Sequence, residues 1–198
     1  MVKRRIIEEA SELFGRSGVK SITMDDLARH LGISKRTIYE NFKDKEDLLI
    51  ACIDSLHEEA CKKKEKIFQN ADNVVDAILA MLQRSAEKTV QGHFKMMNDV
   101  RKYYSQVYKE HLSRFHADEC RNMEQSIQRG VKEGVFRDDL NPEIIALFFC
   151  RQGSNVIHGD ENLSKFPLSD IIENIAITFL RGICTAKGIE IIDRNKKK

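Results

Sequence analysis

The sequence predicts an all-α protein, with a three-helix helix-turn-helix head followed by a larger helical C-terminal domain. Three observations carry this. Apolar residues recur at helical period in every long patterned segment, and no stretch alternates as a strand would. Only two prolines occur, Pro142 and Pro167, so long helices run uninterrupted. The run from Met24 to Lys43, MDDLARHLGISKRTIYENFK, reads as two short helices joined by a tight turn.

The first helix is predicted over residues 2 to 16. Ile6, Ile7, Ala10, Leu13 and Phe14 form one apolar face, and Gly15 and Gly18 bracket its end. Thr23 is a good N-cap for the second helix, with Asp26 three residues on in the capping-box pattern. Ala28 sits where the two short helices cross, and Gly32 closes the second helix where a positive φ costs a glycine little. Leu27, Leu31, Ile33 and Ile38 form the small core that fixes the crossing angle. Ser34 caps the third helix, which presents polar side chains suited to phosphates and base edges. Asp44 caps a fourth helix over about 45 to 69, and Glu46 and Asp47 stand near the positive end of its dipole.

Beyond it, Asp72 and Asn73 start a helix carrying Val74, Val75, Ile78, Leu79 and Leu82. Gly92 suggests a break. Residues 94 to 133 read as helical, with an interruption expected near Tyr103 and Tyr104. Gly130, Gly134 and the polar run Arg137 to Asn141 end that region. Pro142 at the first helical position opens a helix that is apolar over much of its surface. A last helix is expected over about 168 to 187. The domains so read are a head over 1–46, a helical body over 47–190 and a basic disordered tail over 191–198.

The bulk numbers bound the function. A hydrophobic share of 41% supports a buried core, whereas a net charge of only +2 gives no bulk argument for nucleic acid. The evidence for DNA is local: Lys3, Arg4 and Arg5 at the start, then Lys35, Arg36, Lys43 and Lys45 around the third helix. Five cysteines without a CxxC pair favour reduced thiols over a disulfide scaffold, and with them a cytoplasmic location. No secretory leader and no membrane span is read. His57 with Cys61, and His116 with Cys120, each share a helix face, but four ligands would have to converge from two helices, so no metal site is assigned. GxGxxG, P-loop, HExxH and GxSxG motifs are all missing, which argues against an enzyme, and no cofactor is implied.

The stretch from Ile6 to Leu49 closely resembles the N-terminal domain of TetR-family transcriptional regulators. Ala10, Leu13, Phe14 and Gly18 match its first helix. Thr23, Met24, Asp25, Leu27, Ala28, Leu31, Gly32, Ile33 and Ser34 follow the family pattern, and Thr37, Ile38, Tyr39, Phe42, Lys43, Lys45, Glu46 and Leu48 complete it. The segment GVFRDDLNPEIIALFF, from Gly134 to Phe149, looks like the family's lead into its dimer-forming helices. The resemblance implies a homodimer that spans successive major grooves of double-stranded DNA. It also implies a C-terminal domain that binds a small-molecule effector and releases the DNA.

Eight residues are candidates for DNA contact: Thr23, Ser34, Lys35, Arg36, Thr37, Tyr39, Asn41 and Lys45. Thr23 and Ser34 combine capping with possible phosphate contact. Arg36 donates bidentately to guanine if it reaches a base edge, and is otherwise a solvated cation. Thr37 suits a thymine methyl or a phosphate. Tyr39 and Lys45 resemble the family's phosphate contacts, and Asn41 stands where the family often has His. Glu40 is repelled by DNA unless it points away or accepts from a cytosine amine. For the effector, the candidates are Phe94, Met97, Tyr104, Tyr108, His111, Phe115 and Phe148, aromatic and soft side chains that fit an apolar pocket with a few oriented polar tips. For the dimer interface they are Ile145, Phe149, Ile172, Ile175 and Phe179. The leading reading is a ligand-responsive regulator, most simply a repressor. The alternatives are a DNA-binding dimer without an effector, and a helical protein-interaction module.

Overall fold

The computed structural model describes the backbone of residues 2–85, 88–157 and 165–196. Among these residues every element is a helix, and a lone antiparallel bridge joins Phe136 to Cys184. The chain divides into two compact units, Met1–Lys63 with Lys88–Leu112, and Lys64–Glu87 with Ser113–Lys198.

The first unit holds α1 (Val2–Ser17), α2 (Met24–Leu31), α3 (Lys35–Tyr39), most of α4 (Lys45–Asn70), α6 (Lys88–Tyr103) and the start of α7 (Ser105–Lys132). Ile6, Phe14, Leu27, Ile38, Leu48 and Leu49 are sealed from solvent in its core, together with Met96 and Val100 from α6. The head is thus larger than the expected 1–46. The reason lies in α6, whose apolar face completes the cover over α1.

That packing also corrects the reading of Gly92, which lies inside α6 and breaks nothing. It is a crossing point. A Cβ placed on Gly15 of α1 would stand 3.2 Å from both the carbonyl carbon and the oxygen of Gly92, so the two backbones meet where neither residue has a side chain. Around this crossing the Asp99 carboxylate accepts the Val19 N–H at 2.8 Å, and Lys95 donates to the Arg16 carbonyl at 2.9 Å.

The second unit is built from the end of α4, α5 (Val74–Ser85), the rest of α7, α8 (Pro142–Ile157), α9 (Leu168–Ile171), a π-helical segment (Ile172–Ile177), α10 (Thr178–Ile183) and α11 (Ala186–Lys196). Its core gathers Val74, Val75, Ile127, Phe136, Leu180 and Ile192. The expected starts hold: the Asn73 side chain accepts the Asp76 N–H at 2.9 Å, and the Asn141 side chain accepts those of Glu143 and Ile144. The expected break also holds, since α6 ends at Tyr103 and α7 begins at Ser105.

Two expectations near the C-terminus fail. The single helix over 168–187 is instead interrupted by the π-helical turn and stops at Ile183, where Cys184 turns extended with ψ 150°. The disordered tail over 191–198 is replaced as far as Lys196 by α11, because Ile191 and Ile192 are buried in the unit's core.

Candidate nucleic-acid interface

The head is held by its caps. Thr23 accepts the Asp26 N–H at 3.1 Å, and Asp26 returns the bond by accepting the Thr23 N–H at 3.0 Å. The Thr23 hydroxyl also donates to the same carboxylate at 2.6 Å. These bonds hold the Asp26 carboxyl below the ordinary carboxylate range, the hydroxyl first and the backbone N–H next. At the other end of α2, Gly32 takes φ 65°, and its N–H reaches the Ala28 and Arg29 carbonyls. This left-handed residue turns the chain sharply enough for Ser34 to cap α3, accepting the Thr37 N–H at 3.1 Å. Asp44 caps α4 in the same way, through the Asp47 N–H at 2.9 Å.

The short α3 has two unlike sides. Ile38 is fully buried among the head's apolar side chains, while Lys35, Arg36 and Tyr39 stand out, with the Arg36 side chain 88% exposed and Tyr39 45% exposed. The outward cations are already paired within the head. Lys35 meets both oxygens of Asp25, at 2.9 and 3.0 Å, and this hydrogen bond raises its ammonium pKa above the ordinary value. Arg36 donates to Glu40 at 3.0 Å. Glu40 therefore lies on the same outward side as Arg36. Thr37 is half-buried beside Ser34, and Asn41 donates back to the Thr37 carbonyl at 2.8 Å.

Lys45 differs from its expected role as a phosphate anchor. Its ammonium turns inward, donating to the Val19 carbonyl at 2.5 Å above the ring of Phe14. Burial pulls its pKa down, against the opposing pull of Asp26 and Asp99. In this conformation Lys45 ties the start of α4 to the loop before α2. Seven of the eight predicted residues thus line α3 and the capped ends beside it, and the eighth braces them from behind.

The predicted effector residues do not gather in one place. Met97, Tyr104 and Tyr108 pack against the core of the first unit. Phe115 is half-buried in the second unit, and Phe148 is 46% exposed there, stacked on Phe179 at 4.9 Å between ring centres. The side chains of Phe94 and His111 lie outside the described residues. A polar groove of about 650 Å³ in the second unit, walled by residues such as Lys66, Asp72, Asp76, Leu79 and Arg194, includes none of them.

Of the five predicted dimer residues, Ile175 is exposed and the other four pack inward. Ile145, Phe149, Ile172 and Phe179 lean on the unit's own core. The outward face belongs to Ile144, Leu147, Phe148 and Ile175. A helix apolar all round gives no sequence signal for which face is turned out, which is why Ile144 and Leu147 were missed. Among the described residues no group of three or more His, Cys, Asp or Glu side chains is placed to hold a metal ion. No helix is long and apolar enough to cross a membrane, again among the described residues.

Residues 6–52 match the family model for bacterial regulatory proteins of the tetR family. The head is a TetR-family DNA-binding domain. It carries the helix-turn-helix described above, and the protein is a DNA-binding transcriptional regulator. Over 182 residues it is 24% identical to the uncharacterized HTH-type transcriptional regulator YvaF of Bacillus subtilis, covering 91% of this chain and 94% of that one. It is 25% identical over 151 residues to the HTH-type transcriptional repressor KstR2 of Mycolicibacterium smegmatis, covering 72% of this chain and 71% of the relative. In fold it is similar to a transcriptional regulator from Saccharomonospora viridis solved in complex with choline. That likeness has a TM-score of 0.67 at 20% identity, and covers 93% of this chain and 98% of the other.

Proposed function

We propose that the protein is a dimeric repressor that reads a palindromic operator through α3 and lets go of it when a small organic molecule binds the helical body. The single observation that carries the reading is the division of α3, with Ile38 sealed in the head while Lys35, Arg36 and Tyr39 project from it. A helix held by one apolar residue and polar on its outer side suits a major groove. Arg36 and Lys35 exchange their carboxylates for base edges and phosphates, Tyr39 donates to a phosphate, and Thr23, Ser34 and Thr37 contact the backbone from the capped helix ends. The protein acts in the cytoplasm, with no cofactor and no catalytic role.

The apolar strip of Ile144, Leu147, Phe148 and Ile175 supports dimerisation. Monomeric proteins rarely leave several large apolar side chains side by side, and a second copy covers them. The repressor named among the relatives, and the regulator solved with choline, support the two finer parts of the reading, repression and an organic effector. Effector and operator then prefer different conformations of the dimer, so each weakens the other's binding.

The test is selection of a duplex from random DNA followed by sedimentation of the complex. Two protomers on one inverted-repeat site are expected. Substituting both Ile144 and Phe148 with Glu should give a monomer that binds a half-site only. A protein that selects no duplex at low salt would favour the interaction-module alternative. A selected site bound by one copy would remove the dimer.

A further inference from the structure

The first unit carries cations that the helix-turn-helix does not use. Lys20 lies in the loop before α2, next to the Val19 carbonyl that Lys45 holds and three residues ahead of the Thr23 cap. Its ammonium stands 4.5 Å from the centre of the Tyr103 ring, at the C-terminal end of α6. Lys102 stands 5.3 Å from the same ring. Tyr103 is itself exposed. Two ammonium groups therefore share one aromatic ring. Among the described residues, no carboxylate forms an ion pair with either of them, whereas Arg4, Arg29, Lys35 and Arg36 are all paired. The carboxylate on the adjacent turn of α6, Asp99, is spent on the Val19 N–H.

Like charges on a common ring repel, and the ring's negative faces relieve that only in part. An anion between or beside them relieves the rest. The location says which anion. The loop 18–23 joins α1 to α2, is tied to the start of α4 through the Lys45 bond to the Val19 carbonyl, and leads into the Thr23 cap that the proposed reading sets against a phosphate, so the patch flanks that contact.

We propose that Lys20, Lys102 and Tyr103 form an additional contact to the DNA sugar-phosphate backbone, flanking the phosphates reached by α2 and α3. The proposal rests on the DNA-binding reading above. Its consequence is that α6, a helix outside the matched segment 6–52, takes a direct part in operator affinity without reading sequence. Tyr103 holds the two ammonium groups in place and offers its hydroxyl to the same backbone.

The experiment is fluorescence anisotropy on a duplex selected by the wild-type protein, with affinity measured across a range of salt. Each phosphate contact contributes about 0.9 to the slope of log affinity against log salt. The double variant Lys20→Ala with Lys102→Ala should be shallower by about 1.8 per protomer. It should keep the wild-type ranking among sequences and the wild-type thermal midpoint. Lys63→Ala is the control, because Lys63 stands about 27 Å along α4 from its start at roughly 1.5 Å per residue. It should leave the slope unchanged. A double variant with the wild-type slope overturns the proposal, and so does a control that loses as much, since that reports only the overall field. If the wild-type protein selects no duplex, the DNA-binding reading fails, and the proposal goes with it. Those two failures are therefore distinguishable.

Discussion

The glycine crossing between α1 and α6 makes an asymmetric prediction. A Cβ on Gly92 finds its nearest foreign atom, the Gly15 Cα, at 3.7 Å, an ordinary contact. Gly92→Ala therefore exchanges a glycine for the best helix former inside α6 at no steric cost. The expected gain is about 0.5–1 kcal/mol. A Cβ on Gly15 meets the Gly92 carbonyl carbon and oxygen at 3.2 Å, and both are backbone atoms that no rotamer moves aside. Gly15→Ala gains a similar propensity but forces the helices apart by a few tenths of an ångström, and the net effect is near zero or a small loss. Gly15→Val adds two methyl groups at that point and should lose about 3 kcal/mol, the upper range for overpacking. The assay is urea unfolding followed by tyrosine fluorescence. The chain has no Trp, and its four tyrosines, Tyr39, Tyr103, Tyr104 and Tyr108, all lie in the first unit, so the signal reports that unit. A Gly92→Ala variant destabilised by more than about 1 kcal/mol, or a Gly15→Val variant within about 0.5 kcal/mol of wild type, would refute the crossing geometry, since both lie outside the propensity and overpacking ranges.

Arg36→Ala should relax base preference at one position of each half-site by about 1–3 kcal/mol, whereas Tyr39→Phe should weaken binding evenly on all sequences; competition with random DNA separates the two. The Thr23–Asp26 cap should respond to acid in one direction only. Because the folded Asp26 pKa is lowered, its stabilisation is complete above the unfolded carboxylate value and is lost as pH falls through the lowered one, a loss that NMR of the Thr23 and Asp26 amides would follow and Asp26→Asn would abolish. Cys52 is buried and its thiol is pushed up to about 12, so iodoacetamide at mildly alkaline pH should leave it intact while modifying the exposed Cys61; mass spectrometry of tryptic peptides reads the difference.

The helix-turn-helix was legible because its signals are local. Thr23, Gly32, Ser34 and Asp44 each fix a helix end through atoms a few residues away, and their chemistry can be read without the rest of the chain. The recruitment of α6 into the head was not legible. Gly92 reads alike as a helix breaker and as a close-packing point, and only its distant partner Gly15 decides between them. The end of α10 at Ile183 carries no proline, and the structure alone shows why Cys184 turns extended there, in a bridge to Phe136. The basic run after Arg194 reads as a solvated tail, although Ile191 and Ile192 just before it are core residues. Lys45 reads as a phosphate anchor from its position at a helix start. Its inward turn depends on a carbonyl 26 residues earlier in the chain.

On the proposed reading, Lys35 and Arg36 meet any duplex already engaged, one with Asp25 and the other with Glu40. Exposed pairs of this kind hold each other by no more than about 1 kcal/mol. A stray phosphate that replaces the carboxylate gains almost nothing by the exchange, and Glu40, once displaced, is driven from the polyanion. A guanine edge that fits Arg36 at two points does gain. The reading helix thus carries decoys of its own, which blunt its grip on arbitrary DNA and leave the grip on a fitting site nearly intact.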